Sequence, residues 1–153
     1  MKSTIAMVVV LVVSSMALVP PLSAAEQGKS IQIEKPWTRA SIVKSRPAAA
    51  YMTIINHSGK ADRLVSASSP VAGKVSVHLS EMTNGVMQMG PMHDLLLEPG
   101  EKVTLKPGGL HLMLMKLKAP LKKGNTLPLI LIFETTGKID VQAQIVGLGA
   151  FKL

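Results

Sequence analysis

The sequence predicts an all-β domain, either a β-sandwich or a small closed barrel. Two observations carry this. Nine short runs rich in β-branched and apolar residues recur between turn signals, and no stretch sustains a helical period. The runs lie close together in the chain, with no internal repeat and no linker long enough to divide domains, so one core is expected.

Taken in order, the first run is IQIEKPW, followed by AAYMTIIN, which ends at the turn stretch NHSGKA. DRLVSAS runs into SPVAG, where Pro and Gly stop a strand. KVSVHLSEM and GVMQM flank Asn84-Gly85, the strongest hairpin signal in the chain, because a two-residue type I′ turn needs positive φ at both central positions. EKVTL and HLMLMKL are separated by KPGG, a second tight turn. LPLILIFE is almost continuously apolar, as expected of a strand buried on both faces, and TTG separates it from the last run, KIDVQAQIV.

The N-terminus is of a different kind. Lys2 precedes an apolar stretch from Ile5 to Val13, Pro20 and Pro21 interrupt it, and Ser23 and Ala25 are small residues placed before Glu26. This is the pattern of a cleavable signal peptide over residues 1–25, too short and too broken for a membrane span. Residues 26–153 then form the mature domain, expected to be soluble in the periplasm with no stable membrane insertion.

Charge and cysteine content exclude several functions. The net charge is +8, and loss of Lys2 with the leader makes it +7. The lysines are dispersed and the few aromatic residues form no stacking series, so nucleic-acid binding is not expected. The charge serves solubility, with docking on an acidic partner as the sharper alternative. Cysteine is absent, which excludes disulfides, attachment through a lipidated cysteine, thiol-disulfide chemistry and thiolate metal sites such as blue copper.

The Asn-Gly turn fixes a register. With Thr83 opposite Val86, Met82 falls opposite Met87 and Ser80 opposite Met89, and His78 is diagonal to Met89 on the same face. The alternate residues Val75, Val77 and Leu79 make an ordinary core stripe, so His78 and Met89 point away from the core. In HLMLM, Leu112 and Leu114 share one face, and His111, Met113 and Met115 share the other. Two separate elements thus present His and Met together. Thioether sulfur is neutral, untitratable and soft, and with neutral imidazole it suits Cu(I) better than Zn, Mg or Ca. Such a site can hold a monovalent ion without the grip of thiolates.

These residues fit H-x10-M-x21-H-x-M through His78, Met89, His111 and Met113. The pattern resembles that of the periplasmic copper chaperone family PCu(A)C. The likeness continues through KPWTRAS, AAYMTIINHSGKADRLVSASSPVAGKV, NGVMQM, LKPGGLHLMLM and PLKKGNTLPLILIFE, in family order and over nearly the whole mature chain. The resemblance implies a cupredoxin-like Greek-key β-barrel or sandwich that binds one Cu(I) ion through His78, Met89, His111 and Met113. It further implies delivery to the CuA centre of cytochrome c oxidase subunit II or a similar cuproprotein. A separate thiol reductase or copper chaperone would prepare the acceptor. Some members carry a His- and Met-rich C-terminal tail for a second copper ion, and VGLGAFKL has none of its ligands.

The other candidates are read as structural. Met52, Met82 and Met87 are expected to fill gaps in packing, as methionines commonly do. Packing is also the reading for Met115, although it shares the ligand face. Met92 is read as rim packing, and His93 and His57 as exposed. The alternative function is a periplasmic copper-buffering or tolerance protein without a dedicated acceptor. An enzyme is not expected: no nucleophile sits beside a base at a recognisable spacing, there is no HExxH, and no pair of carboxylates suggests a cleft.

Overall fold

Ten strands form within residues 30–152, the part of the chain that the computed structural model describes. The predicted signal peptide, residues 1–25, lies outside the described residues. In chain order the strands are β1 Ile31–Arg39, β2 Ala48–Asn56, β3 Asp62–Ser68, β4 Ala72–Thr83 and β5 Val86–Met92. They continue as β6 Leu95–Leu97, β7 Lys102–Leu105, β8 Leu110–Leu117, β9 Thr126–Phe133 and β10 Gly137–Val146. Among the described residues there is no helix, and so none long and apolar enough to cross a membrane.

Seven strands close on themselves in the order β1-β2-β8-β4-β3-β9-β10. Closure needs two seams: Ala67 of β3 meets Val75 of β4, and β10 runs parallel to β1 with Trp37 opposite Gln144. All other pairings are antiparallel. Neighbours such as β4 with β8 and β3 with β9 are far apart in sequence, which gives the barrel its cupredoxin-like connectivity. Closure leaves only short edges exposed to pairing with another chain. β5 hangs from β4, β6 from β3, and β7 adds to β2 beyond the point where β8 leaves it.

The interior is filled by alternate residues of each strand. Ala50, Ile54, Leu112, Leu114, Leu127 and Leu131 are fully buried, and Phe133 and Leu64 are nearly so. Complete burial of each large aliphatic side chain contributes about 1.5–3 kcal/mol, which lets a domain without disulfides hold together. β9 departs from expectation. Leu127, Leu129, Leu131 and Phe133 are buried, but Ile130 and Ile132 are only half-buried. A closed barrel has one inside, so the outward isoleucines are shielded partly by neighbours on the outer surface. β6 carries no alternation to read, since LLL is three identical residues, and it forms because Asp62, Arg63 and Leu64 offer a free edge.

The two turns that position the site adopt the predicted geometry. Asn84 and Gly85 have φ of 52° and 78°, as a type I′ turn demands. The hairpin pairs Thr83 with Val86, Met82 with Met87 and Ser80 with Met89. In the KPGG turn, Pro107 precedes Gly108 at φ 79°, and Gly109 N–H donates to the Lys106 carbonyl at 3.1 Å, the features of a type II turn.

At the far end of β3 the Asp62 carboxylate is buried, 4% exposed. It accepts hydrogen bonds from the backbone N–H groups of Arg63, Thr135 and Thr136 and from the Thr136 hydroxyl, at 2.6 to 3.0 Å. Burial pushes its pKa up, but these four donors outweigh that and hold it below the ordinary carboxylate value. The effect is to tie the β9–β10 turn to the start of β3.

Candidate metal centre

The outer face of β4, β5 and β8 carries the predicted donors. Leu112 and Leu114 point inward, so His111 and Met113 must point outward, and the β4 register places His78 directly opposite His111. The two imidazole rings lie 5.9 Å apart, centre to centre, and are tilted by 34°. That separation accommodates one ion between them at ordinary metal–nitrogen bonds of about 2 Å. Met113 is one step along β8, paired with Ser76, and Met89 is reached across the hairpin on the diagonal from His78, which itself faces Pro91. Pro91 is tolerated there because counting back from the two-residue turn makes this a non-hydrogen-bonded position on an edge strand.

Each ring has one nitrogen engaged by a hydrogen-bond partner. His111 Nδ1 lies 2.9 Å from the Gly109 carbonyl, which only accepts, so Nδ1 carries a proton and Nε2 is the nitrogen available to a metal. The same carbonyl takes the Ser80 N–H at 3.2 Å, so the KPGG turn is tied to both histidine strands. His78 Nε2 lies 3.0 Å from the Ser76 hydroxyl, and its Nδ1 is buried with no hydrogen-bond partner. A protonated Nδ1 would be a buried donor without an acceptor, costing about 1–3 kcal/mol. With Nε2 engaged by Ser76, Nδ1 is the ring nitrogen that no protein group meets. Burial, then the proximity of His111 and Lys74, lowers the His78 pKa and favours this neutral ring.

Exposure grades across the group. His111 is 4% exposed, His78 and Met113 are half-buried, and Met89 is 52% exposed. Among the described residues no three His, Cys, Asp or Glu side chains gather on one metal-sized site, and the soft donors that the register places beside the two imidazoles are the thioethers. A neutral set of two imidazoles and two thioethers fits a soft monovalent cation and offers little to a hard divalent one.

Met115 is set apart. It is the next outward residue on β8, but it pairs with Lys74 and lies one full pair further from the two histidines than Met113. Met52 is buried in the core and Met92 packs against it, as expected, while His93 is exposed. His57 is exposed and bonded to Gln32 at 2.6 Å. Met82 and Met87 differ from expectation. They are 64% and 52% exposed and fill no gap, because the hairpin tip extends beyond the barrel. Sequence reasoning also passed over Ser76 and Gly109. Ser76 lies two residues before His78, a spacing that on a strand gives the same face, and this was the available signal; Gly109 acts through its backbone carbonyl in the turn before β8, which no side-chain pattern marks.

Fold and site together define a cupredoxin-like β-barrel with a His and Met donor face. The family described as "Putative lipoprotein LpqE-like" matches residues 31–145. A putative lipoprotein, Lxx21020 of Leifsonia xyli subsp. xyli, is 31% identical over 137 residues, covering 87% of this chain and 81% of that protein. The copper-bound PCuAC domain from PmoF2 superposes with a TM-score of 0.66 at 27% identity, covering 77% of this chain and 93% of that one. The Cu(I) form of DR1885 from Deinococcus radiodurans has a TM-score of 0.55 at 29% identity, covering 78% and 81%. The chain belongs to the LpqE-like family and, with it, to the PCuAC copper-chaperone family.

Proposed function

We propose that this protein is a periplasmic Cu(I) metallochaperone, exported by a cleavable signal peptide. It carries one ion on His78, Met89, His111 and Met113 and is not an enzyme. The observation that carries the reading is the His78–His111 pair. Two rings 5.9 Å apart each have one nitrogen engaged, with the buried Nδ1 of His78 left unpartnered, and two thioethers flank them by register. The copper-bound forms of the related PmoF2 and DR1885 domains support the choice of metal.

The gradient of exposure suggests how the ion is released. Met89, half-exposed on the edge strand, is the donor that an incoming ligand displaces first, and His111, buried and fixed by Gly109, is the last to let go. A thiolate-rich acceptor such as the CuA centre of cytochrome c oxidase subunit II binds Cu(I) more strongly than neutral thioethers do, which makes the transfer downhill. The chain has no thiol, so reducing the acceptor's cysteines falls to another protein.

Chelator competition tests the binding: the parent protein takes up one Cu(I), and the Met89→Leu, His111→Asn double variant loses it. Unchanged binding in that variant would refute the site. Transfer to a purified CuA domain, read by the acceptor's own absorption, tests delivery. A deletion strain that keeps oxidase activity under copper limitation but becomes sensitive to excess copper would instead identify a copper buffer.

A further inference from the structure

The methionines at the hairpin tip call for an explanation that packing does not give. Met82 and Met87 are cross-strand partners, and the two-residue turn at Asn84-Gly85 makes theirs a non-hydrogen-bonded pair, the arrangement that brings opposing side chains closest. Met89 follows on the same face of β5, one alternation nearer the barrel. Met82, Met87 and Met89 are 64%, 52% and 52% exposed. On this face the hairpin presents in succession Met82 with Met87, Ser80 with Met89, and His78 with Pro91. The charged Glu81 and its partner Gln88 lie on the opposite face. On this face the hairpin's metal donors leading to the two histidines are thioethers, with its carboxylate turned away.

We propose that Met82 and Met87, sharing Met89, form a second and weaker site for a soft monovalent metal ion, from which the ion passes to the His78–His111 pair. The sharing rests on the reading that Met89 also serves the inner site. Three flexible, neutral sulfurs in water can gather around Cu(I) or Ag(I), while their lack of charge gives them no hold on Mg or Ca. Passage inward is ligand exchange: Met89 stays bound while His78 and His111 replace Met82 and Met87. No electron moves, because thioether and neutral imidazole are both neutral two-electron donors and the ion keeps its charge.

Silver(I) is the probe, since it is soft and does not cycle between oxidation states. The full chain, labelled with 13C at the methionine methyls, is titrated with Ag(I), and the Met82→Leu and Met87→Leu single variants assign their own signals. The first equivalent shifts Met89 and Met113, and the second shifts Met82 and Met87. In the His78→Asn, His111→Asn variant, Met82 and Met87 respond to the first equivalent. The Met82→Leu, Met87→Leu double variant loses the second response, and because leucine preserves apolar bulk at two exposed positions, amide dispersion checks that the hairpin persists. Met82 and Met87 methyls that stay unmoved through excess Ag(I) would overturn the proposal, whatever the inner site does. A shift at the tip with none at Met113 would uphold it and count against the inner site instead.

Discussion

Replacing Ser76 by alanine isolates the tautomer argument from the ligands themselves. In the parent, the Ser76 hydroxyl meets His78 Nε2 at 3.0 Å and Nδ1 has no protein partner, so in the proposed site Nδ1 is the nitrogen that would take the metal. Without it the ring is free to rotate or to exchange its proton. Loss of such an outer partner costs about 10–100-fold in metal affinity, which is about 1.4–2.7 kcal/mol at 1.36 kcal/mol per decade. The fold loses far less. Ser76 is half-buried and on the outer face, so alanine costs no more than about 1 kcal/mol of stability. Competition against a chromogenic Cu(I) chelator measures the first quantity and urea denaturation of the metal-free protein the second. Ser76→Thr, which restores a hydroxyl, recovers much of the affinity. An alanine variant within twofold of the parent would refute the reasoning.

Three further outcomes are expected. Asp62→Asn turns an amide N–H₂ toward groups that themselves donate, costing about 1–3 kcal/mol in denaturant unfolding. The depressed native pKa of Asp62 means its stabilisation is complete above the ordinary carboxylate pKa and is lost as pH falls through the native value. The Asn variant should therefore show a flatter acid limb, and an unaltered pH profile would contradict the assignment. Met115→Leu leaves Cu(I) affinity within twofold in the same competition assay, because its partner is Lys74 and not a histidine; a tenfold loss would make Met115 a ligand. Gly73→Ala destabilises the β4–β8 ladder, since the new Cβ would sit 2.9 Å from Lys116 Cβ, on a residue already at φ 53°. A cost of about 1–3 kcal/mol in thermal or urea unfolding is expected, and a neutral substitution would show that the strands give way freely.

Local rules explain why parts of this protein could be read without a structure. Asn84-Gly85 admits one tight turn, so pairing across the hairpin followed by counting, and Met89 came out opposite Ser80 as found. Strand alternation separated Leu112 and Leu114 from His111 and Met113, because successive side chains must face opposite ways. Composition misjudged β9, which alternates like the rest. A run of apolar residues reports hydrophobicity and not which face is enclosed, and Ile130 and Ile132 turn outward. Met82 and Met87 were misjudged because composition cannot reveal that a hairpin outgrows the barrel beneath it.

The sequence by itself determined the all-β class, the hairpin register, the face on which each His and Met lies, and the soft character of the donors. Only the tertiary structure decided that His78 stands opposite His111, that Gly109 and Ser76 each meet one ring nitrogen, and that Met115 pairs with Lys74. The difference is one of range. Turn chemistry and alternation are set within a few residues, whereas the β4–β8 register is set by closing seven strands around one core. The total packing of that core fixes the register, and no neighbouring pair of residues encodes it.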